Sequence, residues 1–211
     1  MPDLSLERRI YQRGLRLVAG VDEAGRGPLA GPVVAGAVIL PPGLSGAEPW
    51  LALIDDSKRL SAANREKAVS AVREHALAVG VGWAGPEEID EIGVGQATIK
   101  AMMRAVARLP VRPEHLLLDF VPLRECPFPF ETVVRGDGLS YSIAAASNVA
   151  KVTRDRWMLE ADARFPAYSF ARNKGYPTPH HLARLREFGP CDIHRRSFAP
   201  VREAASPLGY D

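Results

Sequence analysis

The sequence has only two cysteines among its 211 residues, Cys126 and Cys191, which lie far apart and outside any CxxC spacing. This scarcity argues against a zinc site and fits a reducing cytosol, where we expect both thiols to act as small buried hydrophobic groups. A chain of this length buries on the order of 70% of its unfolded surface, so neither disulfides nor metals are needed merely to hold it together.

Long apolar runs are also missing. No stretch approaches 18 uninterrupted apolar residues, so we expect no membrane span. Residues 1–17 carry charges in every turn and lack the 7–15-residue apolar centre of a signal peptide. We therefore expect a cytoplasmic protein, and its composition of 46% apolar and 25% charged residues is that of a globular domain.

A strong excess of charge is lacking as well, because the net charge is only +2. The charge is nevertheless unevenly placed. Residues 1–150 have 16 Lys and Arg against 18 Asp and Glu, whereas residues 151–211 have 11 against 7. A mildly basic C-terminal third is compatible with phosphate contacts, although by itself it is weak evidence.

The hydrophobic pattern predicts strands first and then alternating strands and helices, which indicates an α/β domain with a mixed sheet. The predicted strands cover residues 15–21, 32–40, 77–83, 115–120 and 131–135. The predicted helices cover residues 62–76, 86–92, 96–109, 142–165 and 181–188, with Ser61 capping the first.

Acidic residues stand at the ends of three predicted strands: Asp22 and Glu23, Asp119, and Asp137. A solvated turn explains any one of them, but acids are depleted in strands and costly to bury without a partner. Four acids gathered at neighbouring strand ends need cations, and hard divalent ions with oxygen ligands suit them best. Two such ions could activate water and stabilise the leaving oxygen in phosphodiester cleavage.

Asp22 and Glu23 raise a geometric difficulty, because successive side chains of a regular strand point to opposite faces. The glycines that follow, Gly25 and Gly27, offer a break in the strand. We therefore expect the acidic pair to sit where the pleat is lost.

A set of ordered motifs then resembles bacterial ribonuclease HII and spans about residues 18–200. The motifs are DEAGRGPLAGPV (22–33), DSKRL (56–60), LLD (117–119), GD (136–137), SIAAAS (142–147), AKVTRD (150–155), NKGYPT (173–178) and HRRSF (194–198). The resemblance implies a ribonuclease H-like mixed β-sheet flanked by helices, with a small helical C-terminal extension. It implies one domain over residues 1–211, with a core of about 15–165 and a substrate-contacting extension of about 166–211.

The resemblance also implies an activity and a set of site residues. The activity is hydrolysis of RNA paired with DNA, and nicking 5′ to single ribonucleotides in duplex DNA, which leaves a 3′-hydroxyl and a 5′-phosphate. Two Mg²⁺ or Mn²⁺ ions are implied with substrate. By motif position, the catalytic and metal-binding acids are Asp22, Glu23, Asp119 and Asp137; the substrate-binding residues are Gly25, Arg26, Gly27, Ser57, Lys58, Ser147, Lys151 and Tyr176; Asp155 is supporting.

These assignments are chemically sensible, because only the 2′-hydroxyl distinguishes a ribonucleotide from its DNA neighbour. The glycines would let the backbone approach the sugar, and the ring of Tyr176 could stack on a deoxyribose. Three alternatives remain open. Arg26 could pair with an acid, Tyr176 could be a half-buried turn residue, and Lys151 could form a surface salt bridge with Asp155.

Two other functions remain possible, because one scaffold hosts many chemistries. The chain could be a non-catalytic module that binds hybrids, or another metal-dependent nuclease of the same fold, such as a junction resolvase. Phe120 and Asn148 depart from the family pattern, and Asn148 leaves the local helix packing open. The C-terminal SPLGYD shows no sliding-clamp peptide, and we expect a monomer.

Overall fold

The computed structural model describes residues 1–119 and 126–205. Phe120 and the segment 206–211, on which two of the expectations above fall, lie outside these residues. The strands are β1 Val18–Ala24, β2 Val33–Ile39, β3 Ala78–Ala84, β4 His115–Asp119 and β5 Phe130–Val133. The helices are α1 Ser5–Tyr11, α2 Ala62–His75, α3 Pro86–Ala107, α4 Tyr141–Arg164, α5 Phe170–Asn173, α6 Pro179–Phe188 and α7 Ala199–Ala205.

The five strands form one mixed sheet in the order β3-β2-β1-β4-β5. Strand β2 is antiparallel to both β1 and β3, whereas β1, β4 and β5 run parallel to one another. The predicted mixed sheet is therefore confirmed. Because parallel strands end at the same edge, the residues that follow β1, β4 and β5 come together there.

Helices cover both faces of this sheet. Helix α3 packs its alanines and Met102 on one face, against Val21, Ala35 and Leu118. Helices α2 and α4 cover the opposite face. Helix α4 approaches closely because strand β2 has Gly36 beneath it, where a Cβ atom would overlap the backbone of Ala146. This close approach brings α4 to the acidic edge of the sheet.

Helix caps and breaks follow the sequence closely. The Ser61 hydroxyl accepts a hydrogen bond from the Asn64 amide at the start of α2, as predicted. The predicted helices 86–92 and 96–109 are joined in α3, but Gly93 interrupts it with non-helical angles of φ 78° and ψ 151°. The local pattern did not predict α1, α5 or α7, which are seven, four and seven residues long.

The expected loss of the pleat at the acidic pair is wrong. Strand β1 continues in regular pairing through Asp22, Glu23 and Ala24, which lie opposite Gly36, Ala35 and Val34 of β2. The strand persists because β2 extends equally far and satisfies its backbone groups. Consequently Asp22 and Glu23 do lie on opposite faces of the sheet.

The C-terminal helices form a separate layer beside the end of β1. Tyr168, Phe170 and Ile193 pack around Ala30 and Met158, and Leu29 packs against Leu185 and Val201. The loop that follows β1 is therefore enclosed between α4 and the C-terminal segment. Among the described residues, no helix is long and apolar enough to cross a membrane.

Candidate active site

Three carboxylates meet at the edge where the parallel strands end. Asp22, Asp119 and Asp137 each offer an oxygen within 4.8 Å of the others, and they are the one such group found among the described residues. Asp137 lies in the turn Gly136–Gly138 that follows β5. The Gly136 amide donates a hydrogen bond of 2.9 Å to Oδ1 of Asp119, which ties this turn to β4.

The electrostatics of the three acids show that the cluster is short of positive charge. Burial raises the pKa of Asp22 well above its ordinary value, and the charges of Glu23 and Asp119 raise it further. Burial and the charge of Asp137 also raise the pKa of Asp119, against the Gly136 hydrogen bond. Such a pocket favours either protonation or a bound cation.

Glu23 lies outside this group of three, on the opposite face of β1. Its Oε1 atom is 3.5 Å from Nη1 of Arg26, and its Oε2 atom is buried without a hydrogen-bond partner. Burial raises the pKa of Glu23, Arg26 lowers it, and the charge of Asp119 raises it. Glu23 is therefore electrostatically coupled to the cluster, and its unpartnered oxygen is available to a cation.

Lys58 supplies a cation at the cluster. Its Nζ atom lies 2.7 Å from Oδ2 of Asp137, although 75% of its side chain is exposed. Burial lowers the pKa of Lys58, but the hydrogen bond and charge of Asp137 outweigh burial and raise it. The possible metal ligands here are all oxygens, and one of them is a carboxylate oxygen without a partner. Mg²⁺ and Mn²⁺ prefer oxygen ligands, so these residues fit either ion.

Polar side chains from α4 and from the segment before α2 lie beside the acids. The hydroxyls of Ser57 and Ser147 lie 2.9 Å apart and are buried, and Ser147 also hydrogen-bonds to Asp22. Both serines therefore lie beneath the acids, and their contact with phosphate stays a prediction. Asn148 is fully buried and donates to the carbonyls of Asp55 and Ala144 at 2.8 Å, so its amide joins α4 to the segment before Ser57.

The loop of Gly25, Arg26 and Gly27 follows β1 directly. Gly25 has φ +98°, and a Cβ there would overlap the side chain of Arg154. Gly27 has no atom within 4 Å of its missing Cβ position. The two glycines thus serve different purposes, because Gly25 is required by the fold and Gly27 faces open space. Arg26 pairs with Glu23 as described, and a phosphate contact by Arg26 stays a prediction.

Tyr176 and the pair of Lys151 and Asp155 flank the site. Tyr176 is 41% exposed in the loop before α6, so its ring is half-buried and accessible. Nζ of Lys151 lies 2.6 Å from Oδ1 of Asp155, and Nη2 of Arg65 lies 3.8 Å from Oδ2 of Asp155. The salt bridge that was left as an alternative is therefore formed, one helical turn from Ser147.

Sequence reasoning missed four buried residues behind the loops: Arg154, His181, His194 and Arg195. All four lie within or beside the motifs, but no local pattern shows that distant segments enclose them. Both cysteines, expected to be small buried hydrophobic groups, are partly buried and pack against core residues. The Cys191 sulfur lies 3.1 Å from Nδ1 of His194, which holds it at the rim of this group.

Comparisons with known proteins indicate one family. A family model described as Ribonuclease HII matches residues 19–201. A protein named Ribonuclease HII from Geobacillus thermodenitrificans is 54% identical over 94% of this chain and 74% of its own length. Another protein of that name from Geobacter metallireducens is 52% identical over 96% of this chain and 93% of its own length.

A solved structure shares the fold. The crystal structure of ribonuclease H2 from Pyrococcus horikoshii superposes with a TM-score of 0.75 at 26% identity. The match covers 89% of this chain and 96% of the other. The predicted ribonuclease H-like sheet flanked by helices is thereby confirmed.

Proposed function

Because this chain belongs to the ribonuclease HII family, we propose that it is a divalent-metal-dependent endoribonuclease acting on the RNA strand of RNA–DNA hybrids. On duplex DNA it nicks the phosphodiester 5′ to a single embedded ribonucleotide and leaves a 3′-hydroxyl and a 5′-phosphate. One observation carries the proposal: the oxygens of Asp22, Asp119 and Asp137 gather within 4.8 Å at the end of three parallel strands.

Asp22, Asp119 and Asp137 would hold Mg²⁺ or Mn²⁺, with Glu23 supplying a further oxygen. Ions held there would supply activation of a water molecule and stabilisation of the leaving 3′-oxygen. The chain itself contributes the concentrated negative charge and the burial that holds the carboxylates in place. Ser147 fixes the Asp22 carboxylate, and Gly136 fixes that of Asp119.

Recognition of the ribonucleotide belongs to the two loops beside the acids. Gly27 leaves open space through which backbone groups approach the 2′-hydroxyl. The exposed ring of Tyr176 stacks on the neighbouring deoxyribose, where an added 2′-hydroxyl weakens the contact without preventing cleavage. Selectivity then depends on contact with two adjacent sugars, because the 2′-hydroxyl distinguishes a ribonucleotide from a deoxyribonucleotide whatever its base.

The basic side chains at the rim bind the nucleic-acid backbone. Lys58 is exposed and close to Asp137, so it turns from the acids to a substrate phosphate when cations bind. Lys151 and Arg26 have acidic partners that a phosphate replaces. Affinity for substrate therefore falls as salt rises. We also propose that the protein acts as a monomer.

The deciding experiment compares four end-labelled substrates in the presence of Mg²⁺ or Mn²⁺: a DNA duplex with one ribonucleotide, an all-DNA duplex, an RNA–DNA hybrid and a four-way DNA junction. We expect a nick 5′ to the ribonucleotide, cleavage of the hybrid, no cleavage of all-DNA substrates, and no activity with EDTA. Asp119→Asn abolishes cleavage.

Two outcomes would contradict the proposal. Cleavage of the four-way junction without dependence on a ribonucleotide would identify a different nuclease of the same fold. Binding of hybrid that persists in Asp119→Asn, with no cleavage by the unmodified protein, would identify a non-catalytic binding module.

A further inference from the structure

The segment from Cys191 to Phe198 has no part in the chemistry described above, yet its centre is buried. His194 is 1% exposed and Arg195 is fully buried. These two residues lie between the Gly25–Gly27 loop, here called the glycine loop, and residues 173–178, here called the tyrosine loop. The Arg195 side chain contacts the glycine loop directly, and the His194 side chain reaches the tyrosine loop through His181.

Arg195 holds the glycine loop by its backbone. Its guanidinium donates hydrogen bonds of 2.6 Å to the Gly25 carbonyl, 2.9 Å to the Arg26 carbonyl and 2.9 Å to the Gly31 carbonyl. Its own amide donates to the Leu29 carbonyl at 2.8 Å. The planar fork of arginine fits such a set of acceptors, and a lysine ammonium does not. Arg195 therefore fixes the direction of the peptide groups on either side of Arg26.

His194 holds the tyrosine loop through a second histidine. The Cys191 amide donates to Nδ1 of His194 at 3.0 Å, and Nε2 of His194 lies 3.1 Å from Nε2 of His181. Nδ1 of His181 lies 2.9 Å from the Tyr176 carbonyl. One proton arrangement satisfies all three contacts. His194 carries its proton on Nε2 and donates it to His181, which carries its own on Nδ1 and donates it to Tyr176.

The two loops are also joined directly. The Leu29 amide donates to the Gly175 carbonyl at 2.8 Å. Arg154 donates hydrogen bonds to the carbonyls of Ala30 and Lys174, both at 3.0 Å. Ala30 follows the glycine loop and Lys174 lies at the start of the tyrosine loop, so Arg154 links the two. The glycine loop and the tyrosine loop thus form one hydrogen-bonded unit, with His194 and Arg195 at its centre.

We infer that His194 and Arg195 are positioning residues that set the distance between the glycine loop and Tyr176, so that the two loops recognise the junction of a ribonucleotide and a deoxyribonucleotide together. This inference rests on the proposed function. The two loops must contact adjacent sugars at once, and a displacement of about 1 Å costs on the order of 100-fold in rate. In a continuous hybrid every sugar of the cleaved strand has a 2′-hydroxyl, so the distance between the glycine loop and Tyr176 matters less for its cleavage.

The measured quantity is junction preference, the ratio of kcat/KM on a duplex with one ribonucleotide to kcat/KM on a continuous RNA–DNA hybrid. We expect Arg195→Lys to lower junction preference about tenfold or more, mainly through kcat on the single-ribonucleotide duplex. Arg196→Lys is the matched control, because the neighbouring Arg196 is exposed, and it leaves the ratio unchanged.

A second pair of variants tests the histidine connection independently of Arg195. His181→Phe removes the donor to the Tyr176 carbonyl and lowers junction preference. His181→Asn places an amide donor near the position of Nδ1 and restores part of the junction preference. In a Tyr176→Ala background, Arg195→Lys has a smaller effect on the ratio, because the residue being positioned is already gone.

Melting temperature and circular dichroism of each variant separate positioning from folding. A uniform loss on both substrates, in proportion to lost stability, would overturn the inference and leave Arg195 and His181 as purely structural residues. If the unmodified protein cleaves neither substrate, the proposed function fails instead. The two failures are therefore distinguishable.

Discussion

The ammonium group of Lys58 lies 2.7 Å from a carboxylate oxygen of Asp137, within the acidic cluster, while most of the lysine side chain is exposed to solvent. A flexible cation thus occupies the neighbourhood that a divalent ion requires. The lysine reaches in from the segment before α2, and Asp137 comes from the turn after β5. Competition between the ammonium group and a metal ion follows from this contact.

Replacing Lys58 separates ion binding from substrate binding. In Lys58→Ala we expect the Mn²⁺ concentration for half-maximal thermal stabilisation to fall roughly two- to fivefold, since an exposed ion pair contributes about 0.2–1 kcal/mol. We expect KM for the hybrid to rise several-fold, because a phosphate contact is lost. Lys67→Ala, on the exposed side of α2, is the control. Unchanged values of both would show that Lys58 has neither role.

Glu23 is expected to bind metal despite its position on the opposite face of β1. In Glu23→Gln, activity falls about 100-fold or more and the Mn²⁺ requirement rises about tenfold, while metal-free stability is kept or increased. The reason is that burial raises the pKa of Glu23, so a neutral amide removes a buried charge. Calorimetric titration and steady-state kinetics measure these effects, with the exposed Glu74→Gln as the control. Normal activity of Glu23→Gln would show that Glu23 does not bind metal and only pairs with Arg26.

The two glycines of the loop are expected to respond differently to the same substitution. Gly25→Ala combines a positive φ with an overlap on Arg154, so it destabilises the protein by about 2 kcal/mol or more. Gly27→Ala keeps the melting temperature within about 2 °C, since nothing surrounds the added methyl group. It nevertheless lowers cleavage at a single ribonucleotide at least tenfold. Differential scanning fluorimetry and kinetics check both, and wild-type cleavage by Gly27→Ala would refute the close approach of the loop.

Acidification is expected to destabilise the protein through the buried histidines. Burial lowers the pKa of His181, and burial together with His181 lowers the pKa of His194 from 6.5 to about 4. These histidines bind protons in the unfolded chain below about pH 6.5, so their contribution to stability falls as the pH drops from about 6.5 to 4. His194 alone accounts for up to about 3 kcal/mol of this loss. The raised pKa values of Asp22, Glu23 and Asp119 act in the opposite direction.

Urea unfolding at several pH values measures that dependence. His194→Gln is less stable at neutral pH but shows a flatter slope between pH 6.5 and 4, whereas His75→Gln, an exposed residue of α2, keeps the slope of the unmodified protein. An unchanged slope in His194→Gln would show that the histidine contact does not titrate in this range.

Much of the fold follows from local pattern. The apolar, β-branched stretch around β2 and the capped helix α2 were predicted within a few residues, because alternation and capping are local properties. The short α1 was missed, since tertiary contacts hold it. The Glu7 carboxylate accepts hydrogen bonds from the Ser140 hydroxyl at 2.6 Å and the Ser142 amide at 2.9 Å.

The acids themselves were recognisable from the sequence, because carboxylates at the ends of apolar strands and an ordered series of motifs are visible without coordinates. Only the tertiary structure decided how they are arranged: Asp22, Asp119 and Asp137 share one face, and Glu23 lies across the sheet because β1 remains paired with β2. The burial of Arg195 and the contact between His181 and His194 were likewise invisible, since packing joins segments that are distant along the chain. Residue types and their local spacing can be read from the sequence. The distances between side chains and their burial arise only when segments distant along the chain pack together.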